Sequence, residues 1–357
     1  MSDRRPVLLT VSGAIPPDLD EQVSAGRRPR ADYVVMRDAF DADLVDVPAA
    51  LAATGRFGRI VHRLLGVGSL LAWFCFRHRG RYDVIVTDGE QVGIPLAVLC
   101  RVGGRGRARH MMIVHILSTR SKERIMRWAR LGSLIDRYVV YCSWQQAFIT
   151  TRFGVPADRV VLSTFMVDTD FFDVAAVDVE PASMICAVGL ERRDYPTLMR
   201  AVAGLDVRVV VAAASPWSTQ SDSTAGQDLP ANVEVRRLNL FELRELYAAS
   251  RFVVMPLVEV DFQAGITAIL ESMSMSRAVV CTRTAGQTDT IEDGVTGVYV
   301  PPGDVDALRS AITRLLDDEP LSAELGARAR EWAVGHADVE RYAHALTQVV
   351  QTLRSAP

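Results

Sequence analysis

Lysine is almost absent from this chain: of 40 Lys and Arg residues only Lys122 is a lysine. An enzyme that holds pyridoxal phosphate as a Schiff base would therefore have to use Lys122, which lies far from the strongest motif. Cysteine is scarce too. The five cysteines form an odd count at irregular spacing, which excludes a disulfide framework and paired metal-ligand motifs and suits a reducing compartment. No helix-turn-helix, zinc-finger or RNA-binding signature is present, so nucleic acid is not an expected partner. The N-terminus MSDRRPVLLTVSG lacks a signal-peptide hydrophobic region and runs directly into a strand pattern, giving a cytoplasmic expectation. No apolar run is long enough to span a membrane. The longest, Leu64 to Phe76, is flanked by Arg59, His62, Arg63, Arg77, His78 and Arg79; it is too short to cross a bilayer. A buried amphipathic helix is preferred there over a membrane-surface helix.

What is present is the material of a soluble globular protein. The hydrophobic share is 49% and the charged share 23%, and 357 residues accommodate two ordinary domains. The net charge of −3 hides an asymmetry. Arginine is concentrated before residue 160, and Asp and Glu dominate after it. The basic half suits an anionic acceptor or peripheral contact with an anionic membrane.

The most informative stretch is Arg251 to Asp304, RFVVMPLVEVDFQAGITAILESMSMSRAVVCTRTAGQTDTIEDGVTGVYVPPGD. Phe252 to Leu257 reads as a buried parallel strand. From Gly265 the period changes, placing Ile266, Ile269, Leu270 and Met273 on one helical face. Ala278 to Cys281 reads as another buried strand. A loop at the carboxyl end of a parallel strand, feeding a helix, is where open α/β sheets bind ligands. The first-turn amides near Ile266 lack internal partners and suit a phosphate. Thr267 could add a hydroxyl donor. Glu271, one turn along the same face, could accept from the diol of a ribose. Together these groups describe a nucleotide site.

The same residues resemble the donor signature of retaining GT-B glycosyltransferases of glycosyltransferase family 4. Those proteins carry two Glu eight residues apart around a Gly-rich turn, then a Gly-Gly-x-x-Glu loop, a Gly-x-Thr-Gly and a Pro-Pro-Gly-Asp. Glu271 matches the second Glu, Asp289 the loop acid, and GVTGVYVPPGD the tail. Gln263 replaces the first Glu, so it could orient a sugar hydroxyl but carries no charge. The resemblance implies an α/β fold of two Rossmann-like domains facing across a cleft, with a C-terminal helix crossing back to the N-terminal domain. It implies an acceptor-binding domain over residues 1–170 plus helix 337–357, and a nucleotide-sugar donor domain over 171–336. It covers about residues 159–355 well and the N-terminal half by architecture.

Within that frame, Gly189 follows the strand Met184 to Val188. Leu190 stands where the family has an Arg, and Arg193, helped by Arg192, takes the place of the family's diphosphate-binding Lys. Asn239 falls in a segment where family members contact the base, largely through backbone. In the N-terminal half, His115 at a strand end matches a family His that reaches the donor sugar. Gly13, Asp88 and Glu90 lie in loops that suit acceptor contacts, although a helix N-cap explains Asp88 equally well. Asp168 and Asp170 make an Asp-x-Asp in the linker, which is not read as a metal site.

The implied activity is transfer of a sugar, hexosyl by type, from a nucleotide-diphosphate sugar to a hydroxyl acceptor, with anomeric retention and no metal or cofactor. UDP is favoured over GDP on base rates. The acceptor is a small molecule, a lipid-linked intermediate or a glycan. A sugar-nucleotide-binding pseudoenzyme and a GT-B nucleotide-sugar epimerase are the alternatives.

Overall fold

A computed structural model describes residues 6–180, 182–212 and 229–355. The polar stretch 215–232 lies, up to residue 228, outside the described residues. The chain divides into two compact units. Unit 1 comprises residues 1–21, 31–163 and 340–357; unit 2 comprises 22–30 and 164–339.

The first part of the chain runs β1 (Val7–Thr10), α1 (Leu19–Ser24), α2 (Asp32–Phe40), β2 (Ala42–Val45) and α3 (Val47–His78). It continues β3 (Val84–Asp88), α4 (Glu90–Gly103), β4 (Arg109–Ile113), α5 (Arg120–Trp128), β5 (Arg137–Val140), α6 (Ser143–Phe153) and β6 (Val160–Leu162). The six strands form one parallel sheet, ordered β2-β1-β3-β4-β5-β6.

The second part runs β7 (Met184–Val188), α7 (Tyr195–Val202), β8 (Arg208–Ala212), β9 (Val233–Arg236), α8 (Leu240–Ala249) and β10 (Phe252–Met255). Then come α9 (Ile266–Ser274), β11 (Ala278–Thr282), β12 (Gly297–Val300), α10 (Val305–Asp317), α11 (Glu319–His336) and α12 (Val339–Ser355). Its sheet is also parallel, ordered β12-β11-β10-β7-β8-β9. The Val-rich strands β7, β10 and β11 are buried along their whole lengths, as parallel strands covered by helices on both faces must be.

Local chemistry sets the helix starts. Asp194, Asp304 and Asp318 accept from the amides of Thr197, Ala307 and Leu321 at 3.1, 2.9 and 3.0 Å. Helix α6 begins at Ser143; Cys142 stands at its N-cap and makes no side-chain capping bond. The segment after β1 holds α1 and α2, and β12 follows the loop that leaves β11. Most of α12 clusters with unit 1, where Tyr342 exchanges a 2.8 Å hydroxyl contact with Tyr141.

Helix α3 differs from the sequence expectation. Among the described residues it alone is long and apolar enough to cross a membrane by length and composition, at 32 residues. Only 22% of its most apolar 18 residues is buried. Leu70, Leu71, Ala72 and Cys75 enter the core of unit 1, but Leu64 and Leu65 are exposed. The buried helix expected from Leu64 to Phe76 is therefore buried only in its second half.

Asp168 and Asp170 hold an arginine. Asp168 accepts from the Arg30 amide at 2.7 Å and from Arg30 Nε and Nη2 at 3.1 and 2.7 Å; Asp170 accepts from Nη2 at 2.9 Å. This pairing ties residues 22–30 into unit 2. The Asp168 side chain is 4% exposed and that of Arg30 25%, so removing the acid takes away the arginine's buried partner and leaves the exposed Asp170 as its nearest carboxylate. Asp168→Ala should lower unfolding free energy by about 3 kcal/mol, read from the urea midpoint. A loss under about 0.5 kcal/mol, typical of a neutral surface change, would refute this.

Candidate active site

In unit 2 the chain leaves β7 for β8 on one side and β10 lies on the other, so β7 and β10 flank the topological switch point. The loops at their carboxyl ends are laced together. Asp194 N donates to Pro256 O at 2.9 Å and Val258 N to Arg192 O at 3.0 Å. Between them sits the Arg193 guanidinium. Its Nε donates to Val188 O at 2.8 Å and its Nη1 to Glu191 O at 2.7 Å.

Two glycines make room for it. Gly189 has φ +96°, and a Cβ there would lie 2.4 Å from Arg193 Nη2; Gly265 has φ +76°, and a Cβ there would lie 3.2 Å from Nη1. Tyr195 O–H donates to Gly189 O. Burial lowers the Arg193 pKa from its ordinary value, the signature of a cation held partly out of water.

Gly265 is also the N-cap of α9, and no side chain caps that helix. The amides of Ile266, Thr267 and Ala268 have no partner among the described residues. Free amides, the helix dipole and Arg193 thus converge on one turn, an arrangement suited to an anion.

Four residues on, Glu271 is buried at 8% exposure. It lies about 6 Å further along the helix axis, at 1.5 Å per residue. Its Oε2 accepts from Tyr247 O–H at 2.9 Å. Burial pushes its pKa up to about 7, while the Tyr247 hydrogen bond holds it back.

The loop after β11 closes the other side of the turn. Gly286 packs on the backbone of Phe262, where an added Cβ would lie 2.3 Å from three backbone atoms. Gln263 Nε2 donates to Thr290 Oγ1 at 3.2 Å and Gln287 Nε2 to Ala264 O at 3.2 Å. Gln263 Oε1, Gln287 Oε1 and Thr284 Oγ1 are buried without a partner. Such orphaned oxygens are rare in folded proteins and call for an unseen donor. Asp289 lies at the exposed rim of the same loop, with Thr288 O–H donating to it at 3.3 Å.

Other expected donor residues stand apart. Arg192 is exposed with φ +59°. Asn239 spends its side chain on a capping box with Glu242 at the start of α8. Leu190 packs on the apolar cluster beneath the sheet.

In unit 1 the switch point falls between β1 and β3. Asp88, the last residue of β3, does not cap α4; that position belongs to Gly89. Asp88 Oδ1 instead pairs with His115 Nε2 at 3.0 Å, and its backbone amide donates to Thr10 Oγ1 at 3.1 Å. Ser12 O–H donates to Asp88 O at 3.4 Å, and the exposed Gly13 follows it. The His115 side chain keeps 39% of its surface open. Its recess pulls the imidazole pKa down, but the hydrogen bond to Asp88 and the charges of Asp88, Glu90 and Asp32 outweigh this, and it ends above the ordinary value.

Glu90 offers an acceptor nothing. It is 3% exposed, with Oε1 taken by Lys122 Nζ at 2.7 Å and Oε2 by the His115 amide at 3.0 Å. The sole lysine is thereby committed to a structural pair.

Sequence reasoning missed Asp32. Burial and then the Asp88 carboxylate raise its pKa to about 6, with His115 pulling the other way. It opens α2 in a segment whose many charges gave no period by which one acid stood out. Tyr141, with its ring 5.9 Å from that of His115, was likewise unmarked.

Two Rossmann-like units of this kind make the GT-B fold, and solved structures agree over the whole chain. Sucrose-phosphate synthase from Thermosynechococcus elongatus superposes with a TM-score of 0.72 at 17% identity, covering 99% of this chain and 100% of that one. Anabaena Alr3699/HepE in complex with UDP and glucose gives 0.66 at 14% identity, covering 99% and 100%. At such identities the likeness concerns the fold alone. Residues 188–318, which carry Gly189, Arg193, Gly265 and Glu271, match the family described as Glycosyl transferases group 1. The chain is 38% identical over 65 residues to a GDP-mannose-dependent alpha-(1-6)-phosphatidylinositol monomannoside mannosyltransferase of Mycolicibacterium smegmatis, over 18% of this chain. The matched stretches span 17% and 16% of the curated relatives' lengths.

The raised Glu271 pKa has a consequence for stability. Below about pH 4.5 the carboxyl is protonated in both folded and unfolded states. As pH rises to about 7 the unfolded chain gives up that proton first, so the native state loses stability, by up to about 3 kcal/mol. Glu271→Gln should therefore match the parent near pH 4.5 and melt higher than it above pH 7. Equal melting temperatures at both ends of that range would show that the carboxylate is not held out of water.

Proposed function

We infer that the chain is a glycosyltransferase that moves a glycosyl group from a nucleotide-diphosphate sugar to a hydroxyl acceptor. One observation carries the reading: the Arg193 guanidinium sits beside the uncapped α9 amides, with Glu271 a turn further along. The diphosphate occupies the turn at Gly265, where Arg193, Thr267 and the amides from Ile266 stabilise the charge that develops on the leaving group. Glu271 takes the ribose diol. Gln263 orients the sugar, its unpartnered Oε1 accepting a sugar hydroxyl; Gly189, Arg192 and Asp289 line the approach, and Asn239 contributes backbone. This division assigns the donor to residues 171–336 and the acceptor to residues 1–170 with the C-terminal helix.

On the acceptor side we assign Gly13 and Asp88, joined by Asp32, to substrate hydroxyls, and we assign His115 to orienting the transferred sugar. The family match and the donor motif support membership of glycosyltransferase family 4. That assignment carries anomeric retention by same-face transfer, with a donor phosphate oxygen taking the acceptor proton. No metal enters the scheme, because Arg193 and the helix pole supply the positive charge. UDP is favoured as the base-bearing group, with GDP next, and a hexose as the sugar. The acceptor is a small molecule, a lipid-linked intermediate or a glycan, met in the cytoplasm.

A second reading, a sugar-nucleotide-binding protein without turnover, is favoured by Gln263 and Leu190, since an amide cannot balance a developing oxocarbenium and Leu190 stands where the family has an Arg. Measuring nucleotide diphosphate release with and without acceptor separates the two. Release only with acceptor supports transfer; binding without release across a broad acceptor panel supports the second reading. Under either, a thermal-shift panel of UDP, GDP and their sugars should show a stabilising ligand. Arg193→Ala should weaken that ligand by about tenfold to a hundredfold, the worth of a charge-assisted hydrogen bond. An undiminished shift would remove the diphosphate from this turn.

A further inference from the structure

Helix α3 is broken at Gly55 (φ 58°, ψ −139°) and again at Gly66 (φ 82°, ψ 179°). A Cβ at either glycine would meet nothing within 4 Å, so packing does not force these breaks. They set off the segment Arg56 to Leu65, RFGRIVHRLL. Gly58 is the segment's buried residue, with Leu70 Cδ1 3.2 Å from where its Cβ would be.

The outer side of the segment is apolar and open to solvent. Phe57 is 53% exposed, Ile60 55%, Leu64 73% and Leu65 68%. Positions 57, 60, 64 and, half-buried, 61 share one helical face. Arg56, Arg59 and Arg63 are exposed and recur at the same spacing one residue earlier, so each guanidinium borders the apolar stripe. From Val47 to Tyr82 the chain contains no Asp or Glu, while Arg77, Arg79 and Arg81 follow in the same stretch. Nothing within it neutralises this charge.

We propose that Arg56–Leu65 docks on the surface of an anionic lipid bilayer. The charge pattern selects that occupant. Apolar side chains on a basic helix enter the boundary between headgroups and acyl chains, and the planar forks of the flanking arginines match lipid phosphates. Ten helical residues reach about 15 Å, half a bilayer core, so the segment lies in the interface and does not cross. Phe57 touches Trp73, ring centroids 5.0 Å apart, which places a fluorophore at the edge of the contact. The proposal is independent of the activity assigned above.

The test uses the full chain and sedimentation with phosphatidylcholine vesicles, with and without about 30% phosphatidylglycerol, at low and high salt. Binding should require the anionic lipid, weaken with salt and shift Trp73 emission to the blue. Replacing Arg56, Arg59 and Arg63 by Ala should weaken it by about a hundredfold, each basic side chain near an anionic surface being worth about fivefold. Leu64→Ser with Leu65→Ser should abolish it; both leucines are exposed, so the melting temperature should stay put. Failure to bind anionic vesicles, or binding by either variant as tight as the parent's, overturns the proposal. So does a concentration-dependent dimer, without vesicle binding, that the leucine variant dissolves, since the face would then belong to a second copy.

Discussion

The positive pole of α9 has no side chain of its own to neutralise it. Other helices here solve the same problem locally, with Asp194, Asp304 and Asp318 each closing a first turn. At α9 the cap is Gly265, and the nearest charged group is another cation, Arg193. Two positive features side by side oppose each other unless an anion lies between them. The carbonyls of Val188 and Glu191 hold the guanidinium there in the meantime. The glycines at 189 and 265, the lacing of the two loops and the orphaned oxygens of Gln263, Thr284 and Gln287 all surround that single turn.

Unit 1 arranges charge with the opposite sign. Asp32, Asp88 and Glu90 gather near His115; Glu90 is neutralised by Lys122, and Asp88 pairs with His115 itself. Burial, and then the nearby Asp88 carboxylate, push the Asp32 carboxyl to about 6, and the surrounding acids push the His115 imidazole upwards against its own burial. A group of mixed acid and imidazolium character fits polyhydroxyl substrates, because it offers both donors and acceptors at neutral pH.

Much of this was legible in the residues. Parallel strands buried on both faces read as unbroken apolar runs, so Phe252 to Leu257 and Ala278 to Cys281 stood out, around the observed Phe252–Met255 and Ala278–Thr282. Gly265 and Glu271 stood out because a break in period and a helical offset are local properties. The glutamine side chains were legible as amides only. That Gln287 Oε1 is orphaned depends on Ala264, 23 residues away, and on the backbone of Phe262 pressing against Gly286. Asp32 was not legible, since its distinction comes first from burial and then from Asp88, 56 residues later, and both arise only in the folded chain. The exposed half of α3 was misread because Leu64–Phe76 is one apolar run in sequence, while Gly66 divides it in space.

By itself the sequence determined the alternation of strand and helix, the place of each switch-point loop and the residue types available there, because period, caps and glycines act over a few neighbours. Tertiary structure decided which of those residues share a charge environment. It put Arg193 against Gly265, paired Asp88 with His115, withdrew Glu90 to Lys122 and left Phe57, Ile60 and Leu64 in water. Coulomb interaction, desolvation and exposure depend on distance in space, and no spacing along a chain encodes that distance until the sheets have formed.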